Sequence, residues 1–321
     1  MSFLRKQESR IRKWIPDQVR DDRKSKMKKS QLKITTALKK KLSDALAEDL
    51  GKGDITTQLV IPQKSKVEAL IVAKETCVLA GGVLIPEIFK LLSSKVKVQL
   101  LKKDGLLVKK GQFVAKIKGP SQEILTGERL SLNFLAHLSG IATLTQSFVK
   151  EIKPAKAEIL ATRKTTPLMR DFEKYAVQCG GGNSHRFGLF DQYLLKDNHK
   201  IILMNMSDKE AIVAYTNIME KRKKNIPFEI EIDSIKELVW ALAFRPDIIL
   251  LDNFPPKELI KTVYLNKELC KGLKIKKPLL EASGGVTLKT VKQIAKTGVD
   301  RISVGALTHS ARSIDFGLEI E

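Results

Sequence analysis

Three stretches of the chain place cations and hydrogen-bond donors after short apolar runs or a glycine bend. The run AEILA is followed by Thr162, Arg163 and Lys164; the glycine bend Gly180-Gly181-Gly182 leads to His185 and Arg186; and YLL is followed by Lys196, Asp197, Asn198 and His199. Arg offers a planar fork that pairs two-pronged with a carboxylate or phosphate, and Lys adds a compact point charge. One such pair is ordinary solvated surface, but three at consecutive run ends point to a small molecule carrying several negative groups. Acids come next. In FEIEIDS a strand would put Phe228, Ile230 and Ile232 on one face and Glu229, Glu231 and Asp233 on the other, and inward acids need cations or a metal. DIILLDNF is almost continuously apolar up to Asp252. Glu231 and Asp252 on neighbouring strands would suit Mg²⁺, directly or through substrate or water, since Mg²⁺ commonly takes one or two protein carboxylates and completes its shell with other oxygens. Finally, Ser283-Gly284-Gly285 and Gly305-Ala306 precede helical stretches, and bare backbone N–H groups there suit a phosphate. No side-chain nucleophile is evident; Cys179, beside the glycine bend, reads as structural.

The elements that must carry these residues follow from periodicity. After about residue 157, strand-like runs (AEILATR, YLLKDNH, FEIEIDS, DIILLDNF, KPLLEASGG, VDRISVGA) alternate with helical ones. That succession predicts an incomplete α/β barrel of parallel strands, with chemistry where the strands end and phosphate on the last two loops. Residues 66–118 alternate with a period of two, as in KVEALIVAK, and are punctuated by Asp104-Gly105 and Lys110-Gly111. This predicts a smaller α/β sandwich domain. DGLLVKKGQFVAKIKG has the cadence of a biotinyl carrier but lacks the modified-lysine tip. Between the two, a helix is expected to open with Ser121 as N-cap and to break at Gly140, with His137 packed beside its apolar stripe. The division expected is a basic, disordered extension over 1–30, a sandwich domain over 31–137 and a barrel over 138–321, the last residues returning to the N-terminal domain.

Composition closes off other classes. The 321 residues carry 58 Lys and Arg against 36 Asp and Glu, a net charge of +22, which invites nucleic acid as a partner. The first thirty residues hold eleven Lys and Arg against four acids, and the remaining excess is spread along the chain; aromatics are only 6%, few for base stacking. Inward acids such as Glu231 and Asp252 would also oppose a polyanion, so no nucleic acid is expected. No apolar run is long enough to span a membrane. Cys77, Cys179 and Cys270 are too far apart for a CxxC metal site, and their odd number excludes a disulfide framework. A cytoplasmic protein is expected. Glu8, Asp17, Asp21 and Asp22 argue against a transit peptide, and Met27 offers an alternative start.

Taken in order, EDLGKGDITT, GERLSLNFLAHLSGIATLT, ATRKTTPLMRDFEKYAV, GGGNSHRFGLFDQYLLKDNH, EIEIDS, DIILLDNF and LEASGG…VDRISVGALTHSA resemble the quinolinate phosphoribosyltransferase family from about Leu38 to the C-terminus. The resemblance implies transfer of phosphoribosyl from phosphoribosyl pyrophosphate to quinolinate with decarboxylation, in the de novo synthesis of NAD, by a homodimer or larger assembly with shared active sites. It implies that Thr162, Arg163, His185, Arg186 and Lys196 hold quinolinate, joined by Arg129 from the partner subunit; by itself Arg129 would read as a solvated helix residue. Lys164, Glu231 and Asp252 would be catalytic and bind the phosphoribosyl donor with Mg²⁺, while Ser283, Gly284, Gly285, Gly305 and Ala306 cradle its 5′-phosphate. The alternative within the same fold is a relative with another substrate, such as the molybdenum-transport-associated proteins; retention of Arg163, His185, Arg186 and Lys196 disfavours it.

Overall fold

The computed structural model describes residues 32–320; the basic extension, Met27 included, lies outside the described residues. The fold opens with α1 (Thr36–Leu50) and α2 (Ile55–Val60), capped by Thr35 and Asp54, whose side chains accept from Leu38 N and Thr57 N. These caps satisfy amides that the helix itself leaves unpaired. Then come β1 (Lys66–Ala73), β2 (Cys77–Val78), α3 (Ile85–Leu92), β3 (Lys97–Leu100), β4 (Leu107–Val108) and β5 (Phe113–Pro120). β1 and β3 pair antiparallel with β5, and β2 pairs with β4. Ala69, Ile71, Ala115 and Ile117 turn one face of this sheet inward, where Phe89 and helix α4 (Ser121–Glu151) cover it.

α4 serves two cores at once. Its residues Ile124, Leu132 and Leu135 pack on the N-terminal sheet, while Leu130, Phe134, Leu138 and Ile141 join the larger core beneath the barrel. The division placed between residues 137 and 138 therefore falls inside a continuous helix. Nor does the helix break at Gly140: a Cβ there would overlap the Arg312 carbonyl, so this glycine permits a close crossing of backbones. Ser121 is not the N-cap either. Pro120 occupies that position without a side-chain bond, and Ser121 Oγ lies 2.8 Å from Ser65 Oγ.

The second unit contains β6 (Glu158–Ala161), α5 (Arg170–Cys179), β7 (Asn183–Ser184), β8 (Tyr193–Leu195), α6 (Asp197–Met204), α7 (Asp208–Glu220), β9 (Phe228–Ile232), α8 (Leu238–Ala243), β10 (Ile248–Asp252), α9 (Pro256–Leu273), β11 (Leu279–Ser283), α10 (Val291–Ala295), β12 (Arg301–Val304) and α11 (Ala306–His309). Its seven strands run in the order β7-β6-β12-β11-β10-β9-β8, and every pairing is parallel. β7 and β8 are the two edges, so the barrel is incomplete. Parallel pairing puts all seven C-terminal ends on one rim. The chain then returns as β13 (Phe316–Ile320), antiparallel to β1, so its last strand belongs to the N-terminal sheet. Among the described residues no helix is long and apolar enough to cross a membrane, and Cys77, Cys179 and Cys270 are free thiols.

Candidate active site

The strand registers set the rim residues side by side. Ala161 of β6 is level with Ser184 of β7 and with Val304 of β12; Asp252 of β10 is level with Ser283 of β11; Leu250 is level with Glu231 of β9; and Leu195 of β8 is level with Ile230. Reading around the rim gives His185-Arg186, Thr162-Arg163-Lys164, Gly305-Ala306, Ser283-Gly284-Gly285, Asp252, Glu231 and Lys196. Of the residues expected to bind substrate or metal, Arg129 alone is on no strand end. It is exposed on α4, and its ion-pair contact, at 4.0 Å, is with Glu128 of the same helix.

One side of the rim is cationic. Arg163 Nε is buried without a hydrogen-bond partner. Arg186 is buried, and burial first, the charge of Arg163 second, pull its pKa below the usual guanidinium value. Among the described residues neither has a carboxylate at ion-pair distance. Their loops are held from below by α5, whose polar residues at 170, 173 and 174 share one helix face at spacings of three and four. Arg170 donates to Thr165 Oγ1 and to the Phe187 carbonyl, both at 3.1 Å. Glu173, fully buried, accepts from Thr166 N at 3.1 Å and lies 2.9 Å from His137 Nε2. Lys174 donates to the Arg186 carbonyl at 2.6 Å. His137 is thus half-buried and partnered rather than simply packed among apolar side chains.

His185 lies lower than a rim position suggests. Its side chain is buried, with Nε2 2.7 Å from Glu229 Oε2 and 3.3 Å from Glu281 Oε1, aligned with neither for a hydrogen bond. Gln192 donates to Glu229 and Ser303 to Glu281, each at 2.5 Å. Burial lowers the pKa of His185 and raises those of Glu229, to about 8, and Glu281, to about 7. These three are the one group of three potential metal-ligating side chains within mutual reach among the described residues, and it sits in the barrel floor.

On the opposite side, Glu231 is buried at the end of β9, accepts from Asp197 N at 3.4 Å and faces Lys196 Nζ at 3.7 Å. Burial raises its pKa; Lys196 opposes this and Asp252 adds to it. Asp233, beyond it, is half-exposed and pairs at 3.1 Å with Lys200, which also reaches Glu237 at 2.7 Å. The three acids on one strand face therefore have three fates: floor, rim and loop brace. Glu231 and Asp252 supply two carboxylates, a donor set that fits Mg²⁺ when other oxygens complete the shell.

Between these sides lie the glycines. Gly284 has φ +92°, and a Cβ there would overlap the Asn253 side-chain oxygen; Asn253 itself has φ +55° and donates from its backbone N to Ser283 O at 2.8 Å. A Cβ on Gly305 would lie 3.2 Å from Lys164 Cδ and 3.1 Å from His309 Nε2, and Thr308 Oγ1 donates to the Lys164 carbonyl at 2.6 Å. Lys164 is exposed, with Thr162 Oγ1 accepting its backbone N–H at 3.1 Å. His309 and Asn253 thus wall the glycine side, and Arg170, Glu173 and Lys174 brace the cationic side. Only the spacing of the three α5 residues after a strand end could have signalled them.

Comparison with known proteins gives one consistent result. Residues 54–139 match the N-terminal domain of quinolinate phosphoribosyl transferase and residues 141–319 its C-terminal domain. The chain is 40% identical over 290 residues to a probable nicotinate-nucleotide pyrophosphorylase [carboxylating] of Bacillus subtilis, covering 88% of this chain and 93% of that one. It is 38% identical over 283 residues to the nicotinate-nucleotide pyrophosphorylase [carboxylating] of Mycobacterium leprae, covering 86% and 94%. The structure of the nicotinate-nucleotide pyrophosphorylase from Francisella tularensis superposes with a TM-score of 0.79 at 35% identity, covering 90% of this chain and 98% of that one.

Proposed function

The chain belongs to the quinolinate phosphoribosyltransferase family, and we propose from that premise how the rim divides the work of its reaction. The enzyme transfers phosphoribosyl from phosphoribosyl pyrophosphate to quinolinate with loss of CO₂, giving nicotinate mononucleotide and pyrophosphate for NAD synthesis. The observation that carries the division is the cationic side: Arg186 is buried, Arg163 beside it has a buried Nε without a hydrogen-bond partner, and among the described residues neither has a carboxylate at ion-pair distance. A dicarboxylate is the missing counter-charge. Arg163, Arg186 and Lys196 bind quinolinate's two carboxylates, with Thr162 beside them and His185 below.

Across the rim, Ser283, Gly284, Gly285, Gly305 and Ala306 receive the 5′-phosphate on backbone N–H groups, and Lys164 reaches the pyrophosphate. Glu231 and Asp252 face the ribose and would hold Mg²⁺ completed by donor oxygens or water. Bound there, Mg²⁺ would supply charge to offset that of the departing pyrophosphate. Departure leaves an oxocarbenium-like centre, which the two carboxylates stabilise electrostatically. The quinolinate ring nitrogen bonds to that carbon and becomes positive. The adjacent carboxylate then leaves as CO₂, its bonding pair stays on the ring carbon next to the positive nitrogen, and that carbon takes up a proton.

A homodimer completes the site. Arg129 lies on the helix to which α2 is tied by Thr126 donating to Asp54 at 3.2 Å, and α2 exposes Ile55, Leu59 and Val60. The barrel rim carries exposed Leu168, Leu189 and Phe190. A twofold that lays α2 and Arg129 of one subunit over the other's rim covers both patches and adds a cation to each quinolinate pocket. We place the reaction in the cytoplasm, a reducing compartment compatible with the free thiols of Cys77, Cys179 and Cys270. The test is a turnover assay with Mg²⁺, phosphoribosyl pyrophosphate and quinolinate labelled in the carboxylate next to nitrogen. One labelled CO₂ should appear for each nicotinate mononucleotide; no turnover would refute the reading.

A further inference from the structure

Lys174 is only 3% exposed, and among the described residues it makes no ion pair. A buried ammonium without a counter-ion is among the least favourable groups a fold can contain. Its one hydrogen bond is to the Arg186 carbonyl, 2.6 Å away, and its Nζ sits 5.8 Å from the centre of the Phe187 ring. The charges around it are mostly of its own sign. Burial is the largest cause of its pKa falling to about 8; Asp191 from the segment before β8 opposes the fall, and Arg170 from its own helix and then Arg163 from the loop after β6 add to it. Nothing in the packing of α5 requires a cation here, because Phe172, Ala176 and Val177 already seat the helix in the core.

Lys174, Arg163 and Arg186 therefore form one cationic patch that, among the described residues, has no carboxylate at ion-pair distance and feels Asp191, Glu229 and Glu231 only from further off. Resting on the reading of this side as the quinolinate pocket, we propose that Lys174 is a positioning and specificity-determining residue for the dicarboxylate: it fixes the Arg186 loop through the carbonyl and adds field to the pocket from beneath. It does not touch substrate and takes no part at the phosphoribosyl end.

Two variants separate its two actions. Lys174→Gln keeps an N–H donor for the Arg186 carbonyl and loses the charge; Lys174→Met loses both. KM for quinolinate should rise about tenfold in Lys174→Gln and further in Lys174→Met, while KM for phosphoribosyl pyrophosphate stays within about twofold. A merely structural role would lower the melting temperature and affect both substrates alike, and that result, or an unchanged quinolinate KM, overturns the proposal. A measurement on the unaltered protein stands beside these: ¹⁵N-lysine NMR should show one ammonium titrating near 8, and saturating quinolinate should raise that value. A titration unmoved by quinolinate that demonstrably binds also overturns it. Failure of wild-type protein to bind or turn over quinolinate would instead refute the functional reading on which the proposal rests.

Discussion

The two sides of the barrel rim offer positive charge by different physical means. On the β7-β6 side, charge comes from side chains whose loops are braced by α5, with no carboxylate at ion-pair distance from Arg163 or Arg186 among the described residues. On the β11-β12 side, positive potential comes from backbone amides, and the determining feature is the absence of a side chain: Gly284 at φ +92° and Gly305 against Lys164. Guanidinium forks match flat carboxylates at fixed separation and so select a substrate. An amide nest accepts any phosphate of the right size. Specificity should therefore reside on one side and affinity for the common donor on the other, with Lys196–Glu231 at the seam.

That contrast predicts separable defects. Arg186→Ala should weaken quinolinate binding by about 2–5 kcal/mol, the range for truncating one partner of a buried charge pair, without changing affinity for the donor. Lys196→Ala should affect both substrates, because it leaves Glu231 without its cation; calorimetry with each substrate separately checks this. The cationic side also extends across the proposed dimer. Arg129→Ala and Lys196→Ala subunits, each nearly inactive, should recover about a quarter of wild-type activity after random equimolar exchange, since half the dimers are mixed and each has one intact site. No recovery with exchange confirmed would confine Arg129 to its own subunit.

On the amide side, Gly284→Ala should raise KM for phosphoribosyl pyrophosphate about tenfold and lower stability, as a Cβ at φ +92° meets Asn253, with quinolinate affinity unchanged. The smallest effect concerns the floor. Burial raises Glu281 to about 7 from a carboxylate value of 4.5, so in that window the folded state holds a proton that the unfolded chain has released. Stability should fall as pH rises from 4.5 to about 7, and Glu281→Gln should flatten the slope of melting temperature against pH.

The rim was legible because parallel strands announce themselves as apolar runs and their tips follow directly: Arg163, Arg186, Lys196, Glu231, Asp252 and the glycines all come from adjacent strand ends. Depth was not legible. Nothing in NSHRF distinguishes His185, buried over two carboxylates, from Arg186 beside it, nor in EIEIDS the floor acid Glu229 from the rim acid Glu231, because strand alternation gives the face and not the level. The α5 brace was hidden for a related reason: Arg170, Glu173 and Lys174 look like a solvated helical face until the loops they hold are in place. Gly140 misled because a glycine that admits another backbone looks, in sequence, the same as one that ends a helix.

If the cationic side exists to hold two carboxylates, kcat/KM should separate quinolinate from nicotinate with phosphoribosyl pyrophosphate and Mg²⁺ held constant. Nicotinate lacks one carboxylate and would leave buried cations unpaired, a loss that polar sites convert into discrimination of about 10⁴-fold or more. Quinolinate should be preferred by that order. Comparable turnover of nicotinate would contradict the account.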